Sequence, residues 1–126
     1  FNFSKLIKYS ERKSLFELSE ELKDMSKKAR VKKLKPEEMK GATFTISNLG
    51  MYGVKEFSAI INQPQSCILA VGAGEKRAVI KDGALSIATM MSCTLSVDHR
   101  SIDGALGAQF LQAFKLLIED PLTMIL

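Results

Sequence analysis

The spacing of the apolar residues changes at about residue 41, and this change constrains the fold more than any other feature. Before it, apolar residues recur every three or four positions along residues 14–30, which predicts an amphipathic helix. Ser14 and Glu17 have the spacing of a capping box at its start. Pro36 then stops or restarts the chain, and PEEM fits a short helical turn. The apolar face of the first helix comprises Leu15, Leu18, Leu22, Met25 and Ala29.

Residues 41–72 have the composition of strands and loops. GATFTISNLG predicts a strand that ends between Asn48 and Gly50, GMYGVKEF predicts a loop, and FSAII predicts a short strand or an extended piece. SCILAVG, residues 66–72, is continuously apolar and therefore predicts a buried strand.

A hairpin and a second helix are predicted in the remainder. Asp82-Gly83 between two β-prone runs is a strong hairpin signal, and the second run, residues 84–97, is long enough for one extended central strand. Asp103 is a good N-cap for a helix that Pro121 closes. The apolar face of this helix comprises Phe110, Leu111, Phe114, Leu117 and Ile118. The apolar tail LTMIL follows, and we expect Leu122, Met124, Ile125 and Leu126 to dock into the chain's own core or into a neighbouring subunit.

The positive charge lies in the first third of the sequence. Residues 1–40 carry twelve Lys or Arg against seven acids, whereas the remainder carries six against seven, so the run KKARVKKLK dominates the net charge. This run could attract nucleic acid or an anionic cofactor. We favour a solvated helix end, because cations there complement the helix dipole and no interleaved aromatics support base stacking. No apolar run reaches the ~18 residues of a membrane span, and the N-terminus has no secretory signal.

Metal binding and disulfide formation are not expected. Cys67 and Cys93 lie inside apolar runs, no Cys-x-x-Cys pair exists, and one histidine does not make a typical zinc site. The two cysteines are predicted to be buried small hydrophobes of a protein in a reducing compartment.

The only histidine, His99, stands where a predicted strand gives way to a helix. Asp98 and Arg100 flank it and should point away from it if the strand persists. An imidazole with the ordinary pKa of ~6.5 can take the proton of a thiol with a pKa of ~8.5, so a base for coenzyme A or another thiol is one interpretation. A Cys–His nucleophile pair is the alternative. Cys93 is a poor partner, since it lies roughly 20 Å away along an extended strand.

The stretch DHRSIDG, residues 98–104, resembles the D-H-R-x-x-D-G signature of the E2 acyltransferases of 2-oxo acid dehydrogenase complexes. The related pattern H-x-x-x-D-G occurs in chloramphenicol acetyltransferase and other coenzyme A-dependent acyltransferases. FTISNLGMYGVKEFSAIINQPQSCILAVG resembles the central block of the E2 catalytic domain, and DGALGAQFLQAFKLLIEDPLTMIL resembles its C-terminal helix and tail. The resemblance is continuous from about residue 11, and SNLGMYGVKEFSAIIN is most similar to the pyruvate dehydrogenase type.

The resemblance implies a reaction and a role for each site residue. The family transfers an acetyl group between the dihydrolipoyl arm and coenzyme A, so coenzyme A or acetyl-CoA is the expected substrate and the lipoyl group is carried on another domain. His99 is expected to be the general base, and Ser47 the hydroxyl that hydrogen-bonds the tetrahedral oxyanion. Without the resemblance, Ser47 is better explained as a strand-end serine bonded to local backbone. Asp103 is expected to fix the loop through an ion pair, and no proton relay is expected because some members carry Asn there.

The resemblance also implies an assembly. The site is expected between subunits of a homotrimer, with the histidine and the serine from opposite sides of the interface, and the tails are expected to join trimers into a cubic or icosahedral core. The E1 and E3 components are expected to bind through absent domains, with no nucleic acid or membrane partner. The expected location is the bacterial cytoplasm or the mitochondrial matrix.

The fold implied is α/β (α+β): a coenzyme A-dependent acyltransferase-like sandwich of mixed β-sheet with flanking helices. The family's catalytic domain is nearly twice as long as this sequence, which also begins without a methionine. We expect residues 1–126 to be the C-terminal part of one such domain, without its N-terminal half and without lipoyl or subunit-binding domains. We therefore expect no turnover by this polypeptide alone. A structural remnant of the core, kept for assembly and no longer catalytic, is the alternative function.

Overall fold

The change from helical to strand spacing is present in the structure. A computed structural model describes residues 6–30 and 41–124, so the short turn predicted at residues 36–39 lies outside the described residues. The chain divides into two compact units. The first comprises Phe1–Ala42 and Phe114–Leu126, and the second comprises Thr43–Ala113. All three predicted catalytic residues belong to the second unit.

The first unit contains the predicted amphipathic helix. Helix α1 spans Leu15–Arg30 and follows a 3-10 turn at Ser10–Arg12. The Ser14 hydroxyl accepts the backbone N–H of Glu17 at 3.2 Å, which confirms the first half of the capping box. Met25 is buried, whereas Leu15 and Leu22 on the same face remain exposed. The apolar face of α1 is therefore only partly covered.

The second unit contains a mixed three-stranded sheet. Strand β1 (Thr45–Asn48) lies parallel to the central strand β2 (Cys67–Val71), and strand β5 (Cys93–Val97) lies antiparallel to β2 on its other side. Ile68, Leu69 and Ala70 of β2 are buried, which confirms the prediction from the continuous apolar run.

The predicted hairpin is also confirmed. Strand β3 (Glu75–Lys81) pairs antiparallel with β4 (Ala84–Met90) in a separate two-stranded sheet. Asp82 and Gly83 both have positive φ, 52° and 77°, as the tight turn requires.

The prediction of one central strand over residues 84–97 is wrong. The register pairs Met90 with Glu75, the first residue of β3, so the hairpin ends there. The carbonyl of Ser92 then accepts the N–H of Gly72 at 3.0 Å, and the chain enters the other sheet as β5. Among the strands of residues 6–30 and 41–124, β5 lies at the edge of that sheet and not at its centre. No Gly or Pro at residues 91–92 marks this change in the sequence.

Helix α2 spans Gly104–Glu119, and a 3-10 turn at Pro121–Met124 follows it. Its Gly107 is buried, and a Cβ there would lie 3.6 Å from Val97 Cγ1 and 3.8 Å from Leu95 Cδ2. The first half of α2 therefore packs on β5. The rings of Phe110 and Phe44 contact each other with their centroids 5.6 Å apart.

The loop between β1 and β2 lies against the end of β2. Residues 57–61 lie outside any strand, so of the two alternatives for FSAII the short strand is wrong. Ala73 donates its N–H to the carbonyl of Val54 at 2.7 Å, and a Cβ at Gly72 would come within 1.9 Å of the Lys55 carbonyl oxygen. Gly72 is therefore required for this approach. None of the helices in the described part of the chain is long and apolar enough to cross a membrane.

Candidate active site

His99 lies in the turn between β5 and α2. One backbone bond beyond β5, from the N–H of Asp98 to the carbonyl of Ser66 at 2.8 Å, continues the pairing with the β2 side of the sheet. The N–H groups of Ser101 and Ile102 then donate to the carbonyl of Asp98 at 3.0 and 2.9 Å, which turns the chain. His99 is exposed, and its ring has no hydrogen-bond partner among residues 6–30 and 41–124. The imidazole is therefore accessible to a ligand.

The charges on either side of His99 pair with each other. The Asp98 carboxylate accepts hydrogen bonds from Nε and Nη2 of Arg100 at 3.0 and 2.9 Å and from the backbone N–H of Arg100 at 3.1 Å. These bonds, the side-chain ones first, lower the pKa of Asp98, and the same carboxylate raises the pKa of Arg100. The predicted orientation away from His99 assumed that the strand persists, whereas β5 ends at Val97 and residues 99–101 form a turn, so that condition is not met; the pair itself was not predicted. Opposite charges two residues apart around one side chain were the available signal.

Asp103 forms the predicted cap of α2. Its Oδ1 accepts the N–H of Leu106 at 2.7 Å, and its carbonyl accepts the N–H of Gly107 at 3.2 Å. Asp103 forms no ion pair within the described residues. The ion pair that the resemblance implies therefore stays a prediction, and the contact seen for Asp103 is helix capping.

Ser47 lies near the end of β1, opposite Ala70 of β2. Its half-buried hydroxyl makes no hydrogen bond to any described residue, so the alternative of a serine bonded to local backbone finds no support. Neighbouring residues hold the strand instead. Asn48 Oδ1 accepts the N–H of Gly50 at 2.8 Å, and the Thr45 hydroxyl donates to Oε1 of the buried Gln65. The Ser47 hydroxyl is therefore available as a donor.

Ser47 and His99 of one chain lie at opposite ends of the three-stranded sheet. Ser47 is level with Ala70, which pairs with Thr94 near the start of β5, whereas His99 lies beyond the end of β5. The chain is extended from Thr94 to Asp98, which spans roughly 14 Å along the sheet, and two strand spacings add about 10 Å across it. The two side chains of one chain therefore cannot act on the same substrate atom.

The cysteines are half-buried, where the sequence predicted burial. Neither is covered fully because each lies at one end of the β2–β5 pair: Cys67 pairs with Val97, and Cys93 pairs with Val71. Desolvation raises the pKa of both thiols, which disfavours the nucleophilic thiolate. Cys93 is at the far end of β5 from His99, as expected. The described residues contain no group of three or more His, Cys, Asp or Glu side chains able to hold a metal ion.

The apolar tail is described only in part. Leu122 is 67% exposed and Met124 is half-buried, whereas Ile125 and Leu126 lie outside the described residues. Docking of the tail stays a prediction.

Comparison with known proteins extends the resemblance to almost the whole chain. Residues 5–126 match the family described as 2-oxoacid dehydrogenases acyltransferase (catalytic domain). The dihydrolipoyllysine-residue acetyltransferase component of the pyruvate dehydrogenase complex from Rickettsia bellii is 57% identical over 121 residues, which is 96% of this chain and 29% of that protein. Component 2 of the mitochondrial complex of Arabidopsis thaliana is 48% identical over 124 residues, 96% of this chain and 23% of that protein.

Solved structures share the fold, which confirms the predicted acyltransferase class of mixed sheet with flanking helices. A probable dihydrolipoamide acetyltransferase from Listeria monocytogenes superposes with a TM-score of 0.86 at 40% identity, over 90% of this chain and 48% of that one. The Azotobacter vinelandii dihydrolipoamide acetyltransferase, studied for the catalytic role of a serine, a histidine and an asparagine, gives 0.84 at 40% identity over 91% and 47%. The chain thus spans under a third of the curated relatives and about half of the solved chains.

Proposed function

The chain belongs to the acyltransferase catalytic-domain family of the 2-oxoacid dehydrogenases, and we propose from this premise that it transfers an acetyl group between dihydrolipoamide and coenzyme A as part of a pyruvate dehydrogenase E2 core. One observation carries the assignment of residues. In the Azotobacter relative the histidine follows the serine by 52 residues and the asparagine follows the histidine by four. Ser47, His99 and Asp103 have the same spacings.

His99 is the general base in this proposal. Its exposed ring, without a hydrogen-bond partner in the described chain, takes the proton of the attacking thiol of coenzyme A or dihydrolipoamide. The sulfur attacks the thioester carbonyl and forms the tetrahedral oxyanion. Collapse of this species breaks the other carbon–sulfur bond, and the proton returns from His99 to the departing thiolate. Coenzyme A and the lipoyl group enter only as substrates, and no metal takes part.

Ser47 donates its hydroxyl to the oxyanion, and it does so from a different chain. The separation of Ser47 from His99 across the sheet supports a site built from two subunits. An interface that joins the Ser47 end of one copy to the His99 end of the next is heterologous, and such an interface generates a ring when the rotation between subunits closes. A homotrimer is the ring that the family resemblance implies. Asp103 positions the start of α2 behind His99 as its cap.

The relatives support a proposal for the assembly. One neighbour is the cubic core of the pyruvate dehydrogenase multienzyme complex, which gives a TM-score of 0.84. We infer that residues 1–126 are the C-terminal part of one catalytic domain whose trimers join through the apolar tail, with the E1 and E3 components bound through other domains. Its relatives come from bacteria and from a plant mitochondrial complex, so the place of action is the bacterial cytoplasm or the mitochondrial matrix.

Acetyl transfer from acetyl-CoA to dihydrolipoamide tests the proposal. The assay uses the chain together with the remainder of the family domain, taken from the Rickettsia bellii relative, and also the chain alone. We expect turnover only in the first case. His99→Ala should lower kcat by about 10²–10⁴-fold and Ser47→Ala by about 10²–10³-fold. Ser19→Ala on the exposed side of α1 is the matched control and should change neither kcat nor KM.

Mixing the two inactive variants tests the shared site directly. In a ring of randomly mixed His99→Ala and Ser47→Ala chains, about a quarter of the sites join an intact serine to an intact histidine. Activity should therefore return to about that fraction of the wild type. No recovery on mixing would refute the two-chain site. Assembly into trimers or cores with no turnover by the wild type would instead support the structural remnant.

A further inference from the structure

Asp98, which the proposed mechanism does not use, organises the turn that holds His99. We propose that Asp98 is a positioning residue for His99 and acts through its ion pair with Arg100. The proposal rests on the proposed function of His99 as the base. It assigns to Asp98 no contact with substrate and no transfer of a proton.

The backbone of Asp98 joins the turn to the sheet. Its N–H donates to the carbonyl of Ser66 at 2.8 Å, while its own carbonyl accepts two N–H groups from the far side of the turn, those of Ser101 and Ile102. A second connection, from the Ser101 hydroxyl to the Ser66 hydroxyl at 3.1 Å, holds the far side of the turn to the same residue. The residues before and after His99 are thus fixed to the start of β2.

The side chain of Asp98 reaches past His99 to bind Arg100 on its other side. Because residues 98 and 100 flank position 99, the two side-chain bonds from Arg100 and the bond from the Arg100 N–H restrain the backbone on both sides of the histidine. They also hold both charged side chains to each other. With no hydrogen bond of its own in the described chain, the ring takes its orientation from this backbone.

The ion pair affects placement far more than stability. Arg100 is 80% exposed on its side chain, and exposed pairs add little to the free energy of folding. A small displacement of a catalytic group, however, can change a rate by orders of magnitude. Loss of the pair should therefore leave the chain folded and loosen the histidine.

NMR of the chain labelled with 13C-histidine tests this, because its only histidine needs no assignment. Three-bond couplings should place χ1 of wild-type His99 in one well. Asp98→Ala should average χ1 and shift the ring signals. Asp98→Asn and Arg100→Ala remove only the ion pair, so their changes in χ1 and in the ring signals should be equal to each other and smaller than those of Asp98→Ala. The double variant should show no larger changes than either single variant. Lys23→Ala, which removes another exposed ion pair, is the control and should change nothing.

Activity gives the second readout, in the same assembled enzyme as above. Asp98→Ala should lower kcat about tenfold with KM unchanged, and Arg100→Ala should lower it less. A ring whose χ1 and shifts are unaltered in Asp98→Ala would overturn the positioning role. Should Asp98→Ala not fold, unaltered couplings in Arg100→Ala would overturn it equally. A loosened ring with unchanged kcat would keep the positioning role and count against His99 as the base.

Discussion

The two sheets have similar apolar residues but differ in what covers them. In the three-stranded sheet, Leu69 of β2 is 1% exposed and its two neighbours are buried as well. In the hairpin, Ile80, Leu85 and Ile87 are 72%, 76% and 75% exposed. Apolar, β-branched composition therefore predicts that a strand forms. Whether that strand contributes a core depends on elements elsewhere in the chain or in its assembly.

The difference determines where the site can be placed. β1 and β5 flank the buried strand; Ser47 lies in β1, and His99 follows the end of β5. Pairing on a buried strand holds such segments rigidly, whereas an isolated two-stranded hairpin is only marginally stable in water. All the predicted catalytic residues adjoin the three-stranded sheet, and none lies in the hairpin.

Truncation of one leucine in each sheet should give the largest contrast. Leu69→Ala removes a fully buried side chain and should lower the free energy of unfolding by about 2–5 kcal/mol. Leu85→Ala removes an exposed one and should change it by less than about 0.5 kcal/mol. Urea unfolding followed by circular dichroism measures both. Equal losses would show that the hairpin face is covered in solution, by another copy of the chain or by its own tail.

The next largest effect on the free energy of unfolding should come from adding a methyl group at either end of the segment that links the two sheets. Gly72→Ala places a Cβ 1.9 Å from a backbone oxygen of Lys55, so the loop must move, at a cost of about 1–3 kcal/mol. Gly74→Ala meets only the Thr89 methyl at 3.3 Å, which can rotate away, and should cost less. The same urea experiment ranks them. A larger loss for Gly74→Ala would contradict the close packing of the loop on β2.

The sequence predicted the individual helices and strands far better than it predicted which strands pair with each other. Spacing placed α1 and α2, the buried β2 and the hairpin turn, because each of these depends on residues close together in the chain. It failed at residues 84–97, where pairing with β3 and then with β2 divides one β-prone run between two sheets. The point of division is set by the register of the hairpin, which starts at the Asp82-Gly83 turn and ends where β3 ends. No local signal in the sequence marks Met91 and Ser92 as this point.

The residues of the candidate site were predictable from the sequence, but their geometry was not. A lone histidine at a strand end, with Asp103 as a cap, follows from local rules, and the cap was found where expected. The resemblance supplied the role of Ser47, which no spacing rule distinguishes from an ordinary strand serine. The positions of Ser47 and His99 at opposite ends of the sheet could be known only from the order of the strands. The pairing of Asp98 with Arg100 could be known only from the conformation of the turn.

The hairpin turn offers a smaller test of local stabilisation. Gly83 has a φ of 77°, so Gly83→Ala should lower the free energy of unfolding by about 1 kcal/mol, since a Cβ is strained there. Gly83→Asn should cost less, because Asn tolerates this conformation. Thermal and urea unfolding measure both. If Gly83→Ala had no effect, the hairpin would be unfolding independently of the rest of the chain.

The smallest effects should come from two half-buried carboxylates, one beside each sheet. A hydrogen bond from Arg77, and after it the hydrogen bond and charge of Lys55, lower the pKa of Glu75, as Arg100 lowers that of Asp98. A carboxyl whose pKa is lower in the folded state stabilises the fold above its unfolded pKa, and this contribution disappears as the pH falls through the folded value. The differences in urea midpoint between the wild type and Glu75→Gln or Asp98→Asn should therefore be largest near neutral pH and shrink on acidification. High salt should reduce both, because each carboxylate pairs with an exposed cation and such surface pairs are screened, whereas the Leu69→Ala loss should persist. If the difference in urea midpoint for Glu75→Gln grew as the pH fell, the carboxylate would destabilise the hairpin. The contrast between a sheet stabilised by burial and one stabilised by its turn and its surface charges would then be wrong.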